Sequence, residues 1–183
     1  MTSLGLKSLI RPKKYKSYKG EQGKIAPNVL QREFKVKDKK LYLSPIMDLY
    51  NQEIISYPLS ERPVFTQVIS MLKKALRKTP DTKYLVFHSN QGWQYQMKPY
   101  QALLKKKGIV QSMSRKENCL DNAIIENFFG ILKSELFYLK KFNSIDELKN
   151  EIKQYIYYYN NVRIKSNLNK MSPIQYRTQF YNN

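Results

Sequence analysis

One stretch of this sequence sets a carboxylate and an ammonium on the polar side of a helix. Over Asp121–Tyr138, Ile125, Phe128, Phe129, Leu132 and Leu136 recur at helical spacing as a single apolar stripe, and Asp121 is a suitable cap. Asn122, Glu126, Gly130 and Lys133 share another side of that helix. Glu126 can therefore present an anionic oxygen to a cleft, with Lys133 further along for a phosphate. Such a pair alone is ordinary solvated surface. The other polar candidates are Asp48, which closes an apolar run, and Asn90, in the loop Ser89-Asn90-Gln91-Gly92. His88, the one histidine, ends a short apolar stretch, where a strand-end or core role is the usual one. With Cys119 as the one cysteine, the chain can build neither an internal disulfide nor a Cys/His zinc site. A catalytic metal would have to be held by carboxylates.

The elements that must position these groups alternate along the chain. Residues Leu41–Asp48 and Glu53–Leu59 flank Tyr50-Asn51-Gln52, which predicts a hairpin. Pro63 opens a segment in which Val64, Val68, Met71, Leu72, Ala75 and Leu76 take helical spacing, ended by Pro80. A strand over Tyr84–His88, a helix near Lys98–Lys106 and a strand near Ile109–Gln111 follow. After the Asp121–Tyr138 helix, Ser144 and Glu147 form a capping-box pattern for a helix running through Leu148, Ile152, Tyr155, Ile156 and Tyr159. The tyrosines Tyr155, Tyr157, Tyr158 and Tyr159 cover several faces, which suits helix packing better than base stacking. Ser172-Pro173 starts a last short helix. This order predicts an α/β domain with a mixed β-sheet flanked by helices.

The formal charge of +19 over 183 residues calls for a polyanionic partner. Residues 1–40 hold 12 Lys/Arg against 3 Asp/Glu, residues 41–139 hold 13 against 8, and residues 140–183 hold 8 against 3. No segment joins that charge to a strong apolar helical face, so DNA fits better than a membrane surface. Binding to DNA is expected to fall steeply with salt. No apolar stretch is long enough to span a bilayer, and the basic first twenty residues do not read as a signal peptide. A cytoplasmic location is expected. Residues 1–34, punctuated by Pro12, Gly20, Gly23 and Pro27, read as a basic arm left from an upstream DNA-binding or linker region, and residues 35–183 as the core.

Three motifs exceed core patterning: His88-Ser89-Asn90-Gln91-Gly92-Trp93-Gln94-Tyr95, Ser112-Met113-Ser114-Arg115-Lys116, and Asp121 through Glu135. With Leu41-Tyr42-Leu43-Ser44-Pro45, Asp48-Leu49, Tyr158-Tyr159-Asn160, Arg163 and Ser172-Pro173, they make the chain resemble the second-reading-frame transposases of bacterial insertion sequences. The core of those proteins is related to retroviral integrases. The family places 35 residues between its second catalytic Asp and its catalytic Glu, and Asn90 and Glu126 stand at that separation. The resemblance implies an RNase H-like fold and a site of two Asp and one Glu holding two Mg²⁺ ions for phosphoryl transfer. It also implies homo-oligomers that act on transposon ends and target DNA, with Lys133, Arg115 and Lys116 as DNA-binding residues.

The chain departs from the family where the chemistry lies. Asn90 occupies the position of the second Asp, and an amide neither carries charge nor bridges ions. Groups of that electrostatic kind are typically worth about 10²–10³ in rate. Aligning Glu33-Phe34 with the end of the family's Trp-x-x-Asp-x-Thr-Glu-Phe pattern leaves Leu30 at the first Asp, with about fifteen family residues absent upstream and the first strand truncated. Glu33 lies an odd number of residues from Leu30, on the other face of a strand. Asp48 is a further candidate ligand, and Glu117 replaces a family glycine before the catalytic helix. The expected catalytic-position residues are thus Glu126 and Asn90, with Glu126 and Asp48 as metal candidates. The reading is a transposase core that has lost activity. Its alternatives are an active transposase and a non-catalytic DNA-binding or oligomerising remnant that interferes with intact transposases.

Overall fold

A computed structural model of the chain describes residues 33–79, 81–114 and 123–181. Strand β1 (Glu33–Val36) pairs antiparallel with β2 (Lys39–Leu43), Phe34 opposite Leu41. Alternation sends Phe34, Val36, Leu41 and Leu43 inward and leaves Lys35 and Lys40 exposed. The chain continues through β3 (Ile46–Met47) and returns as β4 (Ile54–Ser56) and β5 (Leu59–Ser60).

The expected hairpin is present, but as two short antiparallel pairs. Tyr42 opposes Ser60 and Ile46 opposes Ser56 in one register, which slips between Ile46 and Met47. Pro45 and Pro58 cause the interruption, because neither has an N–H to give the ladder. A single bond from Ser44 N to the Pro58 carbonyl, 3.3 Å, spans the gap.

Helix α1 (Phe65–Lys78) buries Val68, Met71, Leu72 and Ala75, the face its spacing predicts. Strand β6 (Val86–Ser89), helix α2 (Lys98–Lys106) and strand β7 (Val110–Met113) then form a β-α-β unit, with β6 and β7 parallel and His88 opposite Ser112. Helix α3 (Ala123–Leu132) follows, then α4 (Ile145–Asn161) and α5 (Pro173–Tyr181).

The helix expected over Asp121–Tyr138 is present over the described residues, with one departure from regular α-helix. Its proposed cap lies outside the described residues, and Lys133–Phe137 is a π-helical turn, closed by Tyr138 N to the Lys133 carbonyl at 2.8 Å. The wider turn keeps Leu136 buried while Glu135 meets Arg163 of the next segment. At α4 the Ser144 hydroxyl accepts from Glu147 N at 3.1 Å, whereas the Glu147 carboxylate accepts from Asn143 N, one residue before the expected partner. At α5 Ser172 and Gln175 close a reciprocal box: each side chain accepts from the other's main-chain N–H.

The buried apolar residues fall into two groups. One joins β1, β2 and β4 to α3 and α4 through Phe34, Leu41, Leu43, Phe128, Leu132 and Tyr159 among others. The second joins α1, α2 and the start of β7, with Leu72, Tyr100 and Leu104 at its centre. Among the described residues no hydrogen-bonded ladder connects β6 and β7 to the antiparallel strands. Of the tyrosine run, Tyr155 and Tyr159 are buried and Tyr157 and Tyr158 exposed, so half of it packs the helix.

Candidate active site

The two parallel strands end at Ser89 and Met113, and the polar loop after β6 is tied down there. Ser114 N donates to the Ser89 carbonyl at 2.9 Å, and the Gln91 side chain donates to the Ser114 carbonyl at 3.2 Å. Asn90 is half-buried at this end, its Oδ1 accepting from Gly92 N at 3.1 Å in an Asx turn. A Cβ on Gly92 would sit 3.0 Å from that same oxygen, so the glycine gives the Asn90 carboxamide its room.

His88, one strand period earlier on β6, places Nδ1 3.0 Å from Ser112 Oγ, and its buried Nε2 has no hydrogen-bond partner among the described residues. That is the strand position its sequence context predicts. Asp48 sits in the turn after β3, with Oδ1 accepting from Tyr50 N at 2.8 Å and its own N–H donating to the Glu53 carbonyl.

Asp48, His88, Ser89 and Asn90 line one cavity of about 420 Å³, walled on the other sides by α1 and by Ala123, Ile124 and Ile125 of the first turn of α3. Asp48 and Asn90, distant in sequence, are thereby brought to one place. Glu126 follows Ile125 in that first turn and is half-buried, without lining the cavity. Lys133 opens the π-helical turn, its Nζ 5.7 Å from the centre of the Phe34 ring on β1. Arg115, Lys116, Glu117, Cys119 and Leu30 lie outside the described residues. Among the described residues no three His, Cys, Asp or Glu side chains come together as a metal site.

Several residues that carry the family likeness prove to be clamps. Asn160 on α4 accepts from Ile54 N at 2.9 Å and donates to the Ile54 carbonyl at 3.0 Å, acting toward β4 as a neighbouring strand would. Arg163 grips Glu135 with two guanidinium nitrogens, at 2.6 and 2.9 Å, and Tyr155 OH donates to the same carboxylate. Burial opposes ionisation of Glu135, but the bonds from Arg163 and Tyr155 outweigh it and hold its pKa down. The Asn160 and Arg163 motif was visible in the sequence; its partners were not, because they lie on other elements.

The profile of the integrase core domain family matches residues 28–119, and a second integrase core domain profile matches residues 126–181. The chain is 52% identical over 197 aligned positions to a protein of Escherichia coli K12 named as a transposase for insertion sequence element IS150, covering 99% of this chain and 70% of that protein. A transposase-like protein of Haemophilus influenzae is 48% identical, over 100% of this chain and 91% of its own length.

Among solved structures, the HTLV-2 integrase catalytic core determined with magnesium superposes with a TM-score of 0.62 at 18% identity, covering 78% of this chain and 88% of that one. The BIV integrase core gives 0.58 at 14% identity, covering 82% of this chain and 93% of that one. The fold is the RNase H-like one expected. No helix of the described residues is long and apolar enough to cross a membrane. With half the chain matched by one family profile, most of the rest by a second, and close relatives covered over most of their length, this chain belongs to the integrase core domain family, among the insertion-sequence transposases.

Proposed function

We propose that the chain is a transposase core that binds DNA and performs no strand transfer. The observation that carries this reading is Asn90: where β6 delivers a side chain to the cavity beside Asp48 and α3, that side chain is a neutral amide already engaged by Gly92 N. The family's site is a magnesium site, and the HTLV-2 relative in fold was solved with magnesium. Here the described donors do not suit a pair of hard dications, which need anionic oxygens to offset their charge. Asp48 and Glu126 are carboxylates close to the cavity, but Asn90 adds no charge to it and among the described residues no third acidic group joins them.

The alignments support a shortened chain as well. With 99% of 183 residues matched over 197 positions, roughly sixteen positions of the Escherichia coli relative face no residue here. In this reading the missing residues belong to the first strand, and Leu30 stands at its Asp. Residues 1–34 form a basic arm and residues 35–183 the core. Lys133, Arg115 and Lys116 contact DNA phosphates beside the cavity, and copies self-associate, in the cytoplasm, where they can interfere with intact transposases.

A strand-transfer assay with Mg²⁺ on DNA carrying the element's ends tests this reading. The unmodified chain and Asn90→Asp are expected to be inactive, and a chain with both the Asp and the first strand rebuilt to recover. Activity in the unmodified chain would overturn the proposal. Activity in Asn90→Asp alone would show that Asp48 or Glu33 supplies the ligand taken as lost.

A further inference from the structure

A second surface suited to DNA lies at the opposite end of β6 and β7. Both strands start there, beside the last turn of α2. Thr82 Oγ1 donates to the Lys107 carbonyl at 2.7 Å, Leu85 N to the Thr82 carbonyl at 3.1 Å and Val110 N to the Leu85 carbonyl at 3.0 Å, which clamps the turn before β6 onto the end of the helix. The clamped turn projects Tyr84 into solvent, 84% exposed, with its backbone at φ +64°. A bulky residue in that left-handed region is strained, so the turn holds the ring outward against a local cost. Lys83 Nζ lies 5.1 Å from the centre of the ring, and Lys105, Lys106 and Lys107 are exposed alongside.

The ion pairs explain why these lysines stand out. Among the described residues Lys140, Lys149, Arg163 and Arg177, on or near α4 and α5, pair with carboxylates. Lys83, Lys105, Lys106 and Lys107 have no carboxylate partner among the described residues. The one nearby acid in sequence, Asp81, spends an oxygen on Lys83 N at 2.9 Å. Cations at the end of a helix do complement its dipole, but that effect needs no exposed aromatic ring beside them.

We infer that this pole docks a single-stranded DNA segment, with its phosphates on Lys83, Lys105, Lys106 and Lys107 and one base stacked on Tyr84. Every base has a π-face, but only an unpaired one can lay it on a protein ring, and Lys83 beside that ring, with Lys105, Lys106 and Lys107 exposed at the end of α2, offers cations to the backbone. The length of β6 separates the pole from Asn90 by about 13 Å, and the cavity that Asn90 lines reaches back along the strand to Leu85 and Val86, next to Tyr84. The inference rests on the DNA-binding reading above.

Fluorescence anisotropy with labelled oligothymidylate and a duplex of equal length, titrated with the whole chain over a salt series, tests it. Tyr84→Asn keeps a residue that tolerates the left-handed backbone while removing the ring, and is expected to weaken single-strand binding about tenfold with duplex binding unchanged. Tyr84→Trp should retain the wild-type affinity. The combined Lys105→Glu, Lys106→Glu and Lys107→Glu variant should weaken binding to both forms and flatten the dependence of log affinity on log salt by about two. Equal affinity of Tyr84→Asn and wild type for the single strand, or equal loss on both forms, would overturn the stacking site, and an unchanged salt slope would overturn the lysine contacts. A wild-type chain that binds duplex but no single strand defeats this inference alone. One that binds no DNA at low salt defeats the DNA-binding reading with it.

Discussion

Lys165 follows α4 and is buried, with no carboxylate partner among the described residues. Its ammonium donates to Tyr159 OH at 2.8 Å and to the Gln52 side-chain oxygen, and lies 4.8 Å from the centre of the Tyr159 ring. Burial, and then the charge of Arg163, lower its pKa from 10.5 to about 8. Burial likewise pushes the Tyr159 hydroxyl up to about 12, so it stays protonated across that range. Between about pH 8 and 10.5 the unfolded chain therefore binds the Lys165 proton and the folded chain does not, so this residue's contribution to stability rises with pH through that window. Wild type is expected to gain on Lys165→Met by up to about 3 kcal/mol as urea unfolding is moved from the lower to the upper edge of the window. A constant difference between the two curves would mean that no charge is buried there. Under the proposed reading Asn90 obeys a simpler rule: an amide in a carboxylate's place changes the charge of the cavity it lines.

At the scale of elements, α4 is held by side chains that act as backbone partners. Asn160 satisfies both main-chain groups of Ile54, a buried residue, so Asn160→Leu would strand an N–H and a carbonyl away from water. A loss of about 2–4 kcal/mol is expected from urea denaturation, against about 1 kcal/mol for Ser144→Ala, which removes only the cap of the same helix. Comparable losses from the two variants would show that water or a shifted side chain replaces Asn160. The Ser144 and Ser172 caps and the buried face of α1 could be read from the residues, since each depends on neighbours within a turn or two. The π-helical turn at Lys133–Phe137 could not, because it accompanies a contact between Glu135 and Arg163 across two helices.

For the whole molecule, the net charge of +19 makes DNA affinity a matter of counterion release. Residues 1–32 carry eight Lys/Arg against one acidic residue. Replacing those eight by Gln is expected to flatten the salt dependence of duplex binding by several units of slope, while the unfolding transition of the core stays in place. An unchanged slope would assign the binding to the core alone. The sequence by itself determined the family, the alternation of strands and helices, the basic balance and the amide at position 90, because composition, period and motif spacing are local or additive properties. Only the tertiary structure decided that Asp48 and Asn90 share a cavity, that Glu126 stays off its lining, and that the apolar residues divide into two groups without a described strand joining β6 to the antiparallel pairs. It also decided that Tyr84 and the lysines at the end of α2 form one surface. The physical reason is that periodicity states which face is buried, whereas the partner of each buried or projecting group is chosen by packing between segments far apart in the chain.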